Sequence, residues 1–68
     1  MENGYEEKKE KILKFLEEFG RVPAYRIQAA IGTNIQIIQK LLEELINERK
    51  IKKEEETNST YYTLWDSK

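Results

Sequence analysis

Apolar residues along this chain recur first at helical spacing and then, beyond residue 50, at every second position. Ile12, Leu13, Leu16 and Phe19 share one face, with Tyr5 and Phe15 on its flanks, which predicts a first helix over about residues 6–19. Glu6, Glu7 and Glu10 suit its N-terminal end through the helix dipole, and Gly20 suits its stop. Lys8, Lys9, Lys11 and Lys14 read as its solvated face. Arg21-Val22 is extended, because a residue before proline is driven out of helical geometry. Pro23 fits the first position of a second helix over about residues 24–31. Ile27 and Ile31 are its buried pair, Ala29 and Ala30 are small enough for close helix approach, and Gly32 supplies the left-handed residue of a tight turn.

A third helix starts with Thr33 or Asn34 as N-cap and runs to about Arg49. On a wheel of about 100° per residue, Ile35, Leu41, Leu42, Leu45 and Ile46 lie within about 80° of Ile38 and form the core face with it. Gln36, Gln39, Lys40, Glu43 and Asn47 share the outer face. Ile37 falls outside the apolar stripe and reads as a contact for a thymine methyl or a partner. From Lys50 the period becomes two, with a polar turn over 57–60 and an aromatic strand returning over 61–65. Ile51, Tyr62 and Leu64 then face the core, and Tyr61, Thr63 and Trp65 the other side. The order helix, short strand, helix, helix, hairpin predicts one α+β domain over residues 1–68, with 1–5 flexible.

Composition removes whole classes of chemistry. Cysteine and histidine are absent, so disulfides, zinc fingers, thiol nucleophiles and imidazole acid–base chemistry go together. There is no glycine-rich phosphate loop, and the carboxylates show no pattern of a shared cleft; no enzyme, cofactor, metal or small-molecule substrate is expected. No apolar run approaches a membrane span, and the first residues are acidic where a signal peptide is basic, so the expectation is a cytoplasmic, nucleoid-associated protein with no membrane contact. The 37% of charged residues, mostly Lys and Glu, resembles thermophile usage.

The formal charge of −1 hides a division along the chain. Residues 20–53 carry seven basic side chains against three acidic ones, a net +4, and the remainder carries five against ten. The positive part is the helical corner. Residues 27–39 contain no charge at all.

Ile27-x-x-x-Ile31-Gly32-Thr33, then Ile38-x-x-Leu41-Leu42-x-x-Leu45 leading to Ile51, then Tyr62-Thr63-Leu64, resemble the winged helix-turn-helix family over about residues 8–65. MarR-like and many small archaeal regulators share this pattern of positioning helix, recognition helix and closing wing strand. The resemblance implies a three-helix α+β fold with a two-stranded C-terminal wing and a short strand before the second helix. It implies duplex DNA as partner and transcription regulation as role. Lys11-Ile12-Leu13-Lys14-Phe15-Leu16-Glu17-Glu18 with Ile31-Gly32-Thr33 is locally similar to Z-alpha domains, which bind left-handed DNA. Those domains use an asparagine and a tyrosine where this chain has Gln39 and Glu43, and a proline pair in a wing that here has none. Ordinary duplex DNA is therefore the expected ligand.

The residue chemistry names the contacts. Glutamine and asparagine can each bond an adenine edge with both amide atoms, so Gln36, Gln39 and Asn34 are candidate base readers. Lys40 beside them could take a guanine edge or a phosphate. Thr33 and the free amides of the third helix's start could hold a phosphate. Arg26, Arg49, Lys50, Lys52 and Lys53 would neutralise backbone charge, and Asn58 and Ser59 would reach the DNA from the wing tip. Glu54, Glu55 and Glu56 oppose such a wing. With Ile37, Tyr61 and Trp65 they motivate the alternative, a protein-interaction module or a subunit of a larger assembly. Tyr61 and Trp65 either pack over the first helix near Phe15 or form a partner surface. Winged-helix regulators commonly act as symmetric pairs, and a homodimer of this chain would use the first helix or the hairpin, through Phe15, Tyr61 or Trp65.

Overall fold

Three helices and a three-stranded antiparallel sheet follow in the expected order in the computed structural model, which describes residues 3–65. They are α1 (Asn3–Phe19), β1 (Val22–Pro23), α2 (Ala24–Ile31), α3 (Ile35–Asn47), β2 (Ile51–Glu56) and β3 (Ser59–Leu64). The sheet order β1-β3-β2 puts the returning wing strand in the middle. This is a winged-helix arrangement, α+β, with the hairpin as the wing.

One apolar stripe from each helix converges on the sheet. Ile12 and Leu16 of α1, Ile27 of α2, and Ile38, Leu41, Leu42 and Leu45 of α3 meet Val22 and Ile51 in a single buried core. Burying each such side chain is worth about 1.5–3 kcal/mol, which lets a chain this short fold without a staple.

The two glycines act as punctuation. Gly20 has φ 77° and donates its N–H to the Leu16 carbonyl at 2.8 Å; Gly32 has φ 81° and does the same to Gln28. Between them Pro23 is the N-cap of α2 while pairing with Tyr61, one position earlier than its expected helical place. β1 is an edge strand, so the missing proline N–H costs no ladder bond. Asn34, not Thr33, caps α3: its Oδ1 accepts from the Ile37 N–H at 2.9 Å.

Departures from the expected pattern cluster at element ends. α1 begins at Asn3 rather than near Glu6; Met1 and Glu2, part of the stretch expected to be flexible, lie outside the described residues. Phe19 is 52% exposed, because it is the last helical residue and the chain turns away at Gly20. Ile35, assigned to the core face, is 36% exposed at the opening turn of α3. Ile31 is only half-buried, and Ala29 and Ala30 are exposed rather than pressed against another helix. Ile37, expected outside the core, packs against it, since α3 touches both other helices and so is covered over a wider arc than its stripe.

α3 ends at Asn47, two residues early, although no glycine marks the spot. Arg49 takes the left-handed conformation at φ 62°. Its N–H donates to the Ile46 carbonyl at 2.9 Å, and that of Lys50 to Leu45 at 3.0 Å, the paired closure of a Schellman motif. The hairpin turn is two residues, 57–58, with Glu56 opposite Ser59, so the returning strand starts earlier than expected. Ile51, Tyr62 and Leu64 face the core as expected, but Thr63 on the other side is also buried, because β3 is flanked by a strand on each edge.

Lys9 departs furthest from its expected solvated role. It is 8% exposed, and its Nζ lies 2.9 Å from Glu44 Oε1 and 3.0 Å from Glu48 Oε2. The bond to Glu44, then that to Glu48, holds the ammonium well above the ordinary lysine range, and Lys9 in turn holds the Glu48 carboxyl low. Stabilisation from the raised ammonium is present below the ordinary lysine value of about 10.4 and fades as pH climbs through the raised one. That from Glu48 is present above about 4.3 and fades as pH falls. Lys9→Met should keep the stem packing, lose about 1 kcal/mol at neutral pH because both carboxylates stay hydrated, and flatten the acid limb. Urea melts of both proteins at pH 3, 7 and 10 check it; parallel pH profiles would contradict the assigned role.

Candidate nucleic-acid interface

The outer side of α3 is uncovered. Gln36, Gln39, Lys40, Glu43 and Asn47 are all exposed, as their wheel positions predict. Two different neighbours flank this surface. Toward α1, the Lys40 ammonium sits 5.6 Å from the centre of the Tyr5 ring, which draws the side chain to that edge of the helix. Toward the wing, Gln39, Leu42, Glu43 and Ile46 face Lys53 and Tyr62 across an open cleft of about 260 Å³. The surface is thus a helix ridge with a groove along its wing side.

Strand alternation sorts the wing charges. Lys53 and Glu55 lie on the same side of the hairpin as Ile51, and Lys52, Glu54 and Glu56 on the other. Lys52 and Lys53 therefore do not act together: only Lys53 reaches the cleft. The acids that oppose a DNA-facing wing are engaged by bases. Arg21 bonds Glu54 through Nε at 3.0 Å, pairs with Glu56, and lies with its guanidinium 4.4 Å from the centre of the Tyr61 ring. Glu55 is 3.5 Å from Lys53. Two of three carboxylates are thereby held on the sheet face away from the cleft.

The remaining candidates divide by place. Thr33 is half-buried, and the oxygen of Asn34 is committed to its cap, which leaves Gln36 and Gln39 as the amides in the first half of α3 whose side chains form no hydrogen bond among the described residues. Arg26 is exposed on α2 and forms no ion pair among the described residues. Arg49 and Lys50 stand at the far end of α3, about 20 Å from Gln36 at 1.5 Å per residue, with Lys50 3.7 Å from Glu48. Asn58 is exposed in the hairpin turn, with Ser59 next to it.

Tyr62 is the cleft residue that the sequence reading leaves out. Its ring packs on the core and its position opposite Lys53 lines the groove as well. The alternation Ile51, Lys53 against Leu64, Tyr62 carries that signal once the hairpin register is known. Tyr61 and Trp65 do not cover Phe15: Tyr61 stacks with Arg21, Trp65 is exposed, and the ring that meets Phe15 is Phe19, centre to centre 4.7 Å. Among the described residues no helix is long and apolar enough to cross a membrane. No family model matches the chain, and no curated protein matches it significantly.

Proposed function

We propose that this chain binds duplex DNA as a small regulator, laying the outer face of α3 in the major groove with the wing alongside. The observation that carries the reading is the bare amide surface of Gln36 and Gln39, exposed and next to a cleft whose far wall is a lysine and a tyrosine. A major groove about 12 Å wide admits a helix, and glutamine reads an adenine edge there. Lys40 and Lys53 flank this face on its two sides, and they, with Arg26 on α2 and Arg49 and Lys50 beyond the end of α3, would meet phosphates, which orient the protein and make affinity fall with salt. The pairing of Arg21 with Glu54 and Glu56 supports this reading, because it draws negative charge away from the cleft side of the wing.

Titration of the isotope-labelled protein with a mixed-sequence duplex at low salt tests it. The amide signals of 33–43, Lys53 and Asn58 should move, and those of Glu17 and Glu18 should not. Absence of any change at hundreds of micromolar duplex, or changes confined to the outer sheet face around Trp65, would favour the adaptor reading, to which exposed Trp65 is the pointer.

A further inference from the structure

We propose that Glu43 is a specificity-determining residue that requires a cytosine in the DNA lying against α3. The inference rests on the duplex-DNA reading above and adds a base preference to it. Gln36, Lys40, Glu43 and Asn47 fall within about 60° of one another on the helix, so they form the crest of the exposed ridge. Gln39 lies to the wing side of that crest, in the cleft that Glu43 also lines. An acid on a DNA-facing crest is repelled by phosphates unless a base edge donates to it.

The fold draws the neighbouring acids away from this surface and leaves Glu43 on it. Glu44, the other acid of α3, and Glu48 at its C-cap are bonded by Lys9 of α1, at 2.9 and 3.0 Å. Arg21 holds Glu54 and Glu56 on the far face of the sheet. Two bases neighbour Glu43, and both are engaged elsewhere. Lys40, three residues earlier on the helix, sits over the Tyr5 ring, and Lys53, across the cleft, lies 3.5 Å from Glu55. An ionised carboxylate accepts hydrogen bonds and donates none. In the major groove guanine and thymine present acceptors, adenine sets an acceptor beside its amine, and cytosine presents its N4 amine. Cytosine is thus the edge that answers a carboxylate without an opposing lone pair. Glu43 stands seven residues beyond Gln36, about 10 Å along the axis and roughly three base-pair steps of about 3.4 Å. The preferred site therefore carries a cytosine about three steps from the adenine that Gln36 reads.

Selection of bound sequences from a randomised duplex pool, then anisotropy on duplexes differing at one base pair, tests it with the wild type, Glu43→Gln and Glu43→Ala. Wild-type sites should share a cytosine, and its replacement by guanine or thymine should weaken binding by roughly tenfold or more. Glu43→Gln should move the preference at that position to adenine, whose edge glutamine bonds with both amide atoms. Glu43→Ala should make that position indifferent and keep the preferences elsewhere. Helicity by circular dichroism should stay unchanged in both variants, because the side chain is exposed. A residue that only repels phosphates would raise affinity for every duplex by one factor when changed. That result, or wild-type sites with no shared cytosine, overturns the proposal and leaves the DNA-binding reading in place. A wild type that retains no duplex overturns both.

Discussion

Ile38→Ala should leave the chain largely unfolded or barely folded at 37 °C, whereas Ile35→Ala, one turn away in the same helix, should be mild. Ile38 is fully buried where the stripes of all three helices converge with the sheet. Removing three carbons there loses their transfer free energy and leaves a cavity, together about 2–5 kcal/mol. A domain of this length has roughly 3–10 kcal/mol in all, so that loss is a large share of what exists. Ile35 is 36% exposed at the helix start, and its truncation should cost roughly 1 kcal/mol or less. Thermal and urea melts of the pair measure the difference directly. Equal losses at both positions would mean that α3 is rotated from the orientation described, and the outer-face assignments would go with it.

That rotation was the most legible property of the chain. Ile38, Leu41, Leu42 and Leu45 repeat over about two turns, and with four positions on one stripe the period leaves one orientation for the helix. Gly20 and Gly32 were legible for a related reason: a left-handed residue ending a helix is strongly selected as glycine. Arg49 performs the same turn without the glycine, so nothing local announced that α3 stops at Asn47. Phe19 and Ile35 fit their stripes but sit where a helix runs out of neighbours, a property of packing rather than of period.

The charges were harder to read because their partners are distant. Lys9 meets Glu48 across 39 positions, and Arg21 meets Glu56 across 35. A lysine among lysines on a helix looks solvated until another helix brings carboxylates to it. The three wing glutamates likewise look like an undivided block opposed to DNA. Pairing of β2 with β3 divides them between two faces, and Arg21, arriving just before β1, takes the two on the far side. The candidate surface was thus visible as a helix face, while its electrostatic surroundings became visible only with the fold.

Gln36→Glu with Gln39→Glu should abolish measurable DNA binding at moderate salt while leaving the fold intact. Both side chains are exposed, and an acid in the first turns of a helix complements its dipole, so the melting temperature should hold or rise slightly. In the proposed groove the same two charges would stand near phosphates. At about 5 Å and an effective dielectric between those of water and protein, each repulsion is worth roughly 1–2 kcal/mol. Each change also converts an amide donor to an acceptor and forfeits a bidentate adenine contact worth about 1–3 kcal/mol. The combined loss should exceed about a hundredfold in affinity, from two changes that cost the fold nothing. The counterpart Gln36→Lys with Gln39→Lys should tighten binding to all duplexes, steepen its salt dependence and reduce discrimination between sequences. Fluorescence anisotropy on a labelled duplex at two salt concentrations, beside thermal melts, separates the two variants. Unchanged affinity in the glutamate pair would remove α3 from the DNA, because repulsion of that size cannot go unnoticed by a helix lying in the groove.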